Sequence, residues 1–183
     1  IRGDSKNVLS RLISAVDQFE FDIVLRVTGD DIFLDPAHVH LLIEFLSKNN
    51  YDYASSMDLP GGFEAEAFTA STLKTINKFA ENLDYTEYLR YYVDDSIFNC
   101  GNLPVEDKYR RDYGLSLDTL EDLKLIRKIF RAINSERIPL SLADVLDYVD
   151  SNLSLIPNRQ IVRRDDKLIQ KKCKLNYRYS NLK

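Results

Sequence analysis

Apolar and polar positions follow two different periods along the chain, and the change of period predicts the elements. Residues 21–28 form a short apolar run rich in Ile and Val, which is typical of a buried strand. Residues 36–48 are apolar at helical spacing and begin with Pro36, a residue that the first helical turn tolerates. A helix over 5–15 and a strand over 51–55 complete the order helix, strand, helix, strand. This order favours βαβ units and a parallel sheet.

The remaining pattern predicts a turn, two further strands and four helices. The turn is Pro60-Gly61-Gly62, and the strands cover 63–68 and 113–117. The polar stretch 94–111 is interpreted as loops with a strand at the sheet edge. Two helices are predicted in the middle of the chain, one from 69 or 71 to 82 and one over 86–93. Two more are predicted later, one after Thr119 and one from Ser141 through Val149. The inner face of the helix after Thr119 carries Leu123, Ile126, Ile129, Phe130 and Ile133.

Length and composition place the chain among ordinary globular proteins. It has 183 residues, of which 44% are hydrophobic and 30% charged, enough for one domain with a real core. No stretch reaches the roughly 18 consecutive apolar residues that a membrane-spanning helix needs. Residues 1–4 are neither an initiator methionine nor a signal peptide, which indicates a fragment or an excised domain.

The two cysteines and two histidines do not form a metal-ligand pattern. Cys100 and Cys173 lie far apart without CxxC spacing, which favours two free, buried or half-buried thiols over a disulfide or a metal site. We therefore expect a reducing, cytoplasmic compartment. His38 and His40 are two residues apart on a predicted helix and do not share a face.

Charge divides the chain into a body, 1–157, and a basic tail, 158–183. The tail carries nine Lys and Arg against two Asp, a net charge of +7, whereas the remainder has 16 basic and 27 acidic residues, a net of −11. A basic tail could contact nucleic acid or an anionic membrane. A charge run alone is a weak motif, so we favour a solvated terminal segment and expect no nucleic-acid partner.

Carboxylates follow two of the predicted strands. Asp30 and Asp31 come directly after the strand at 21–28, and Asp118 follows the strand at 113–117. Ligands of open α/β sheets bind at the carboxyl ends of strands. If the two strands are neighbours, Asp30 and Asp118 face one crevice and can hold Mg²⁺ together with substrate phosphates. The alternative for each aspartate taken singly is a helix cap or a turn residue.

Three blocks in this order resemble the cytidylyltransferase family, which includes the spore-coat polysaccharide cytidylyltransferases and enzymes that activate sialic acid and 3-deoxy-manno-octulosonate. The resemblance covers nearly residues 3 to 150. The blocks are Gly29-Asp30 with Leu34-Asp35-Pro36, Glu64-Ala65-Glu66-Ala67-Phe68 after a Pro-Gly turn, and Leu117-Asp118-Thr119-Leu120-Glu121-Asp122-Leu123.

The resemblance implies a three-layer α/β, Rossmann-like nucleotide-diphospho-sugar transferase fold with a mostly parallel sheet, truncated at its N-terminus. The implied reaction is attack of a sugar hydroxyl on CTP, which gives a CMP-sugar and pyrophosphate for surface polysaccharide biosynthesis. Asp30 and Asp118 would be the catalytic, Mg²⁺-holding residues. Glu64, Glu66 and Arg26 would bind substrate, although Arg26 is equally suited to a structural ion pair. The implied assembly is a homodimer formed through the irregular middle segment.

Departures from the family pattern keep other functions open. Asp31-Ile32-Phe33 replaces the family's Cys-Pro-Leu, so Asp31 is not an expected metal ligand. The family's N-terminal Gly/Ser-rich loop with Arg and Lys is not found in this sequence, so we expect this stretch alone to be inactive. A catalytically silent domain that serves dimerisation or partner binding is the alternative. A phosphatase that uses Asp30 and Asp31 is disfavoured, because the spacing is not DxD.

Overall fold

The computed structural model describes residues 1–133, 139–157 and 172–176, which form an α/β fold. The helices are α1 Val8–Phe19, α2 Pro36–Lys48, α3 Ala70–Phe79, α4 Leu120–Ile133 and α5 Leu142–Asp150. The strands are β1 Ile23–Arg26, β2 Tyr53–Ser55, β3 Glu66–Thr69 and β4 Cys100–Asn102. Within the described ranges, short 3-10 helices cover Thr86–Tyr92, Asp107–Tyr109 and Leu153–Leu155.

Side-chain caps fix where the helices begin. Asp35 accepts a 2.9 Å hydrogen bond from the Ala37 amide at the start of α2. Its second oxygen accepts from the Leu142 amide at 3.0 Å, so the same carboxylate also meets the first turn of α5. Capping oxygens satisfy amides that have no partner within a helix. The Asp35-Pro36 pair therefore joins two helices that lie far apart in sequence.

The sheet is mixed, with strand order β1-β3-β2-β4. β3 lies between β1 and β2 and runs antiparallel to both, whereas β2 and β4 are parallel. β1 and β2 therefore point the same way, as the βαβ pattern predicted, but they are not neighbours. The expectation of a mostly parallel sheet is inexact, because an antiparallel strand is inserted between them.

The described residues form three hydrophobic cores, of which the second and third lie on opposite faces of the sheet because side chains alternate along the strands. Tyr53 and Phe68 belong to a second core with Leu9 of α1 and Leu73 and Ile76 of α3. Their neighbours Ala54 and Ala67 belong to a third core with Leu42 and Leu46 of α2. Helices thus cover both faces, and the predicted α/β class is confirmed.

A first core lies under α4 and α5, which pack against each other. It contains Ile129, Val145 and Leu146, together with the aromatic rings of Phe33 and Phe63. Residues 113–117 approach this core without forming a strand, so the prediction of a strand there is wrong. Their backbone bonds go to two loops instead, as described below. The edge strand expected within 94–111 is β4.

Residues 172–176 of the predicted tail lie against the end of α3. Leu175 forms an antiparallel bridge with Ala80, and the Glu81 amide donates to the Lys174 carbonyl at 2.8 Å. Cys173 and Leu175 are each 6% exposed and belong to the second core. Cys100 and Cys173 are free thiols. The rest of the tail, 158–171 and 177–183, lies outside the described residues, and its role and the homodimer stay predictions.

None of the helices in the described ranges combines the length and the apolar character that crossing a bilayer requires.

Candidate functional site

Acidic side chains gather at one edge of the sheet. The carboxyl ends of β1 and β2 lie at this edge, and β3 begins there because it runs the opposite way. Asp30 and Asp31 follow β1, while Glu64 directly precedes β3, whose first residue is Glu66. This edge is where open α/β sheets bind ligands.

Three loops form the candidate site, and backbone hydrogen bonds join them. We call residues 28–33, 60–64 and 114–118 the three-loop site. The Leu117 amide donates to the Asp30 carbonyl at 3.0 Å. The Phe33 amide donates to the Gly62 carbonyl at 3.1 Å, and the Leu115 amide to the Gly61 carbonyl at 2.7 Å. Asp30 and Asp118 are therefore brought onto adjacent loops, although not by two neighbouring strands.

At Gly62 the second loop packs directly against the backbone of the third loop. Its φ of +97° is a conformation that L side chains rarely adopt. A Cβ added at this position would lie 2.8 Å from the carbonyl carbon of Leu115 and 3.0 Å from the Ser116 nitrogen. Because both neighbours are backbone atoms, a side chain at position 62 would push the third loop away from the second.

Asp118 is exposed, and α4 fixes its backbone. The buried Asp122 carboxylate accepts from the Asp118 amide at 3.1 Å and from the Thr119 amide at 2.7 Å. The Asp122 amide donates back to the Thr119 hydroxyl at 3.3 Å, so Thr119 and Asp122 form a capping box at the start of α4. The Ser116 hydroxyl donates to the Asp118 carboxylate at 2.8 Å. The Asp118 side chain therefore extends from a fixed backbone position, on a loop that is hydrogen-bonded to the loop of Asp30.

Asp31 is held within its own loop. Its carboxylate accepts from the Thr28 hydroxyl at 2.6 Å. Burial raises the pKa of the Asp31 carboxyl, and the negative charge of Asp30 adds to the rise in pKa, while the Thr28 hydrogen bond opposes it. One oxygen of the Asp31 carboxylate is therefore already engaged by Thr28.

Glu66 and Arg26 form a cross-strand ion pair. They are opposite each other in the β1–β3 register, and Arg26 Nη1 lies 2.5 Å from Glu66 Oε2. The other oxygen of Glu66 accepts from the Tyr53 hydroxyl at 2.8 Å. Arg26 also donates to the Glu87 carbonyl in the 3-10 helix. The contacts of Arg26 are therefore those expected of a structural ion pair. Both carboxylate oxygens of Glu66 already have partners.

Glu64 differs from these acids because it has no partner. Among residues 1–133, 139–157 and 172–176, no group hydrogen-bonds or forms an ion pair with its carboxylate. Burial raises the pKa of the Glu64 carboxyl to about 7, and the charges of Asp31 and Glu66 contribute to the rise. Glu64 therefore exchanges a proton near neutral pH.

The donor set can be compared with what a magnesium ion needs. In the described ranges, no group of three or more His, Cys, Asp or Glu side chains has the arrangement of a metal site. Mg²⁺ is usually held by one or two carboxylates, while substrate phosphates and waters supply the remaining ligands. Asp30 and Asp118, on adjacent loops and with oxygen donors, fit that smaller requirement.

Comparison with known sequences identifies the family. The sequence model described as "Cytidylyltransferase" matches residues 1–141. The chain belongs to the cytidylyltransferase family. The matched stretch includes all three loops of the site, so the resemblance inferred from the three sequence blocks is confirmed.

Two curated relatives of this cytidylyltransferase-family chain extend the match. An uncharacterized protein of Methanocaldococcus jannaschii is 30% identical over 161 residues, which are 82% of this chain and 63% of that protein. The spore coat polysaccharide biosynthesis protein SpsF of Bacillus subtilis is 24% identical over 163 residues, which are 87% of this chain and 68% of SpsF. The chain thus spans 63% and 68% of the lengths of these two relatives.

A solved structure shares the fold. The structure of a cytidylyltransferase from Leptospira borgpetersenii serovar Hardjo-bovis superposes with a TM-score of 0.78 at 24% sequence identity. The match covers 88% of this chain and 69% of the solved one. At this identity the match shows the fold alone.

Sequence reasoning missed the contacts that hold the site together. The sequence predicts that Gly62 lies in a turn, but not that Gly62 contacts both of the other loops. The Tyr53 contact to Glu66 had no sequence signal, because it depends on the register of β2 and β3. The contact of Asp122 with the Asp118 amide follows from the capping box and could have been predicted.

Proposed function

We propose that this protein transfers the cytidylyl group of CTP to the hydroxyl of a sugar and releases pyrophosphate. The observation that carries the proposal is the 3.0 Å backbone bond between Leu117 and Asp30, which puts two carboxylate-bearing loops side by side at the ligand-binding edge. Membership of the cytidylyltransferase family supports the substrate class. Involvement in polysaccharide biosynthesis is part of the proposal and is supported by the similarity to SpsF.

In this proposal Asp30 and Asp118 hold Mg²⁺. The ion would neutralise phosphate charge and orient the α-phosphate of CTP, as magnesium does in other phosphoryl-transfer sites. The chain contributes positioning: Asp122 fixes the backbone of Asp118, and Leu117 fixes the backbone of Asp30. Because phosphoryl transfer depends mainly on positioning and electrostatics, the loss of either carboxylate should be costly.

Substitution of Asp118 tests the assignment. In the natural protein, we expect Asp118→Asn to lower Mg²⁺-dependent pyrophosphate release from CTP by at least about 100-fold, because one charged ligand is lost. The assay includes a panel of acidic and neutral sugars. Asp112→Asn is the matched control, since Asp112 is exposed and outside the three-loop site. An Asp118→Asn variant with wild-type activity would contradict the metal assignment.

A further inference from the structure

Glu64 is an acid of the three-loop site whose backbone is held in place and whose carboxylate has no hydrogen-bond or ion-pair partner in the described ranges. Its neighbour Ala65 is held on both sides, because the Ala65 amide donates to the Ser56 hydroxyl at 2.9 Å and its carbonyl accepts from the Ser56 amide at 3.1 Å. On the other side lies Gly62, which is bonded to Phe33. The backbone around Glu64 is therefore rigid, while the carboxylate is available to a ligand.

The neighbouring acids, in contrast, already have hydrogen-bond or ion-pair partners. Asp31 accepts from Thr28, and Glu66 is shared between Arg26 and Tyr53. A general base needs a free lone pair directed at the proton that it removes. Among the acids of the two loops flanking β1 and β3, Asp30 and Glu64 have such oxygens, and Asp30 is already assigned to the metal.

We propose that Glu64 is the catalytic residue that takes the proton from the attacking sugar hydroxyl. The hydroxyl oxygen forms a bond to the α-phosphorus of CTP while the bond from that phosphorus to the bridging oxygen breaks. Pyrophosphate leaves with the bonding electron pair, the hydroxyl proton moves to the Glu64 carboxylate, and water later removes it. This inference rests on the cytidylyl transfer proposed above.

The charges that face Glu64 suit this role. Asp31 from the first loop and Glu66 from β3 both oppose ionisation of Glu64, although the Arg26 guanidinium offsets part of the Glu66 charge. A base whose pKa lies near the working pH combines a useful ionised fraction with good proton affinity. The pKa of about 7 for the Glu64 carboxyl meets that condition.

The test is a kinetic comparison in the whole natural protein, using pyrophosphate release with CTP, Mg²⁺ and the best sugar of the panel. We expect Glu64→Gln to lower kcat by about 100-fold or more, to change KM for CTP by less than about twofold, and to abolish the acid limb of the kcat/KM profile near pH 7. Glu64→Asp, which keeps the carboxyl, should recover part of kcat. Glu81→Gln, an exposed acid beside the second core, should behave as wild type.

The outcomes separate the two proposals. If Glu64→Gln keeps kcat within about threefold and keeps the acid limb, the role of Glu64 is refuted and cytidylyl transfer stands. If the wild-type protein releases no pyrophosphate with any sugar, cytidylyl transfer fails, and the proton transfer fails with it. Thermal unfolding distinguishes a loss of catalysis from a folding defect, because removing this partly buried acid should not lower stability at neutral pH.

Discussion

The three-loop site and the second core are stabilised by different interactions. The site depends on single backbone hydrogen bonds, on one glycine with positive φ and on polar caps. The second core depends on apolar side chains from α1, α3 and the sheet that are almost completely buried, such as Leu73 and Ile76 at 0% exposure. Apolar burial stabilises the fold in proportion to area, whereas the loop contacts mainly set geometry. We therefore expect mutations in the two regions to separate stability from function.

The largest effect on stability should come from the second core. We expect Ile76→Ala to lower the free energy of unfolding by roughly 2–5 kcal/mol, because it leaves a cavity under α3. The Mg²⁺-dependent activity of the molecules that remain folded should be unchanged. Denaturant unfolding and an assay normalised to the folded fraction measure the two quantities. Ile76→Val, the matched control, should cost only about 0.5–1.5 kcal/mol, and a loss of specific activity in Ile76→Ala would show that the two regions are coupled.

Gly62→Ala should give the complementary result. We expect a loss of roughly 2–3 kcal/mol of stability, from backbone strain and from the contact with Leu115, and a loss of activity in the folded fraction as well. Gly61→Ala is the control, because its Cβ would meet Gly114 Cα at an ordinary 3.8 Å. If Gly62→Ala lost stability but kept full specific activity, the loop contact would not position the site.

Replacement of Glu64 should change stability in the opposite direction, because removing this carboxyl should raise the free energy of unfolding at neutral pH. The ordinary pKa of 4.5 holds in the unfolded chain and about 7 in the folded one, so the folded protein binds more protons between these values. Stability relative to Glu64→Gln should therefore fall as pH rises from about 4.5 to about 7 and stay constant above. Urea titrations of both proteins across this range measure the difference. Parallel pH profiles would contradict the raised pKa.

Local signals allowed the sequence to predict the helices better than the sheet. α2 has the predicted bounds, because Asp35 and Pro36 mark its start and Asn49 and Asn50 its end. α4 follows from the Thr119–Asp122 capping box. The sheet order depends on β3 inserting between β1 and β2, and no local pattern encodes that choice.

The sequence predicts that Asp30 and Asp118 come close together, but not the contacts that join their loops. Asp30 and Asp118 do come onto adjacent loops, yet through a backbone bond from Leu117 rather than through a second strand. The partners of Glu66 depend on strand register. Glu64 has no partner among the residues that the structure describes, because the nearby donors Thr28, Tyr53 and Arg26 bind Asp31 and Glu66 instead. Such long-range pairings are set by tertiary packing, which the sequence pattern does not contain.

The short bridge between Ala80 and Leu175 makes Cys173 a natural chemical reporter. Burial raises the pKa of the Cys173 thiol, so a thiol reagent reaches it only when residues 172–176 separate from α3. Its labelling rate therefore reports how often residues 172–176 separate from α3. Cys100, half-buried in the edge strand, provides an internal reference in the same molecule.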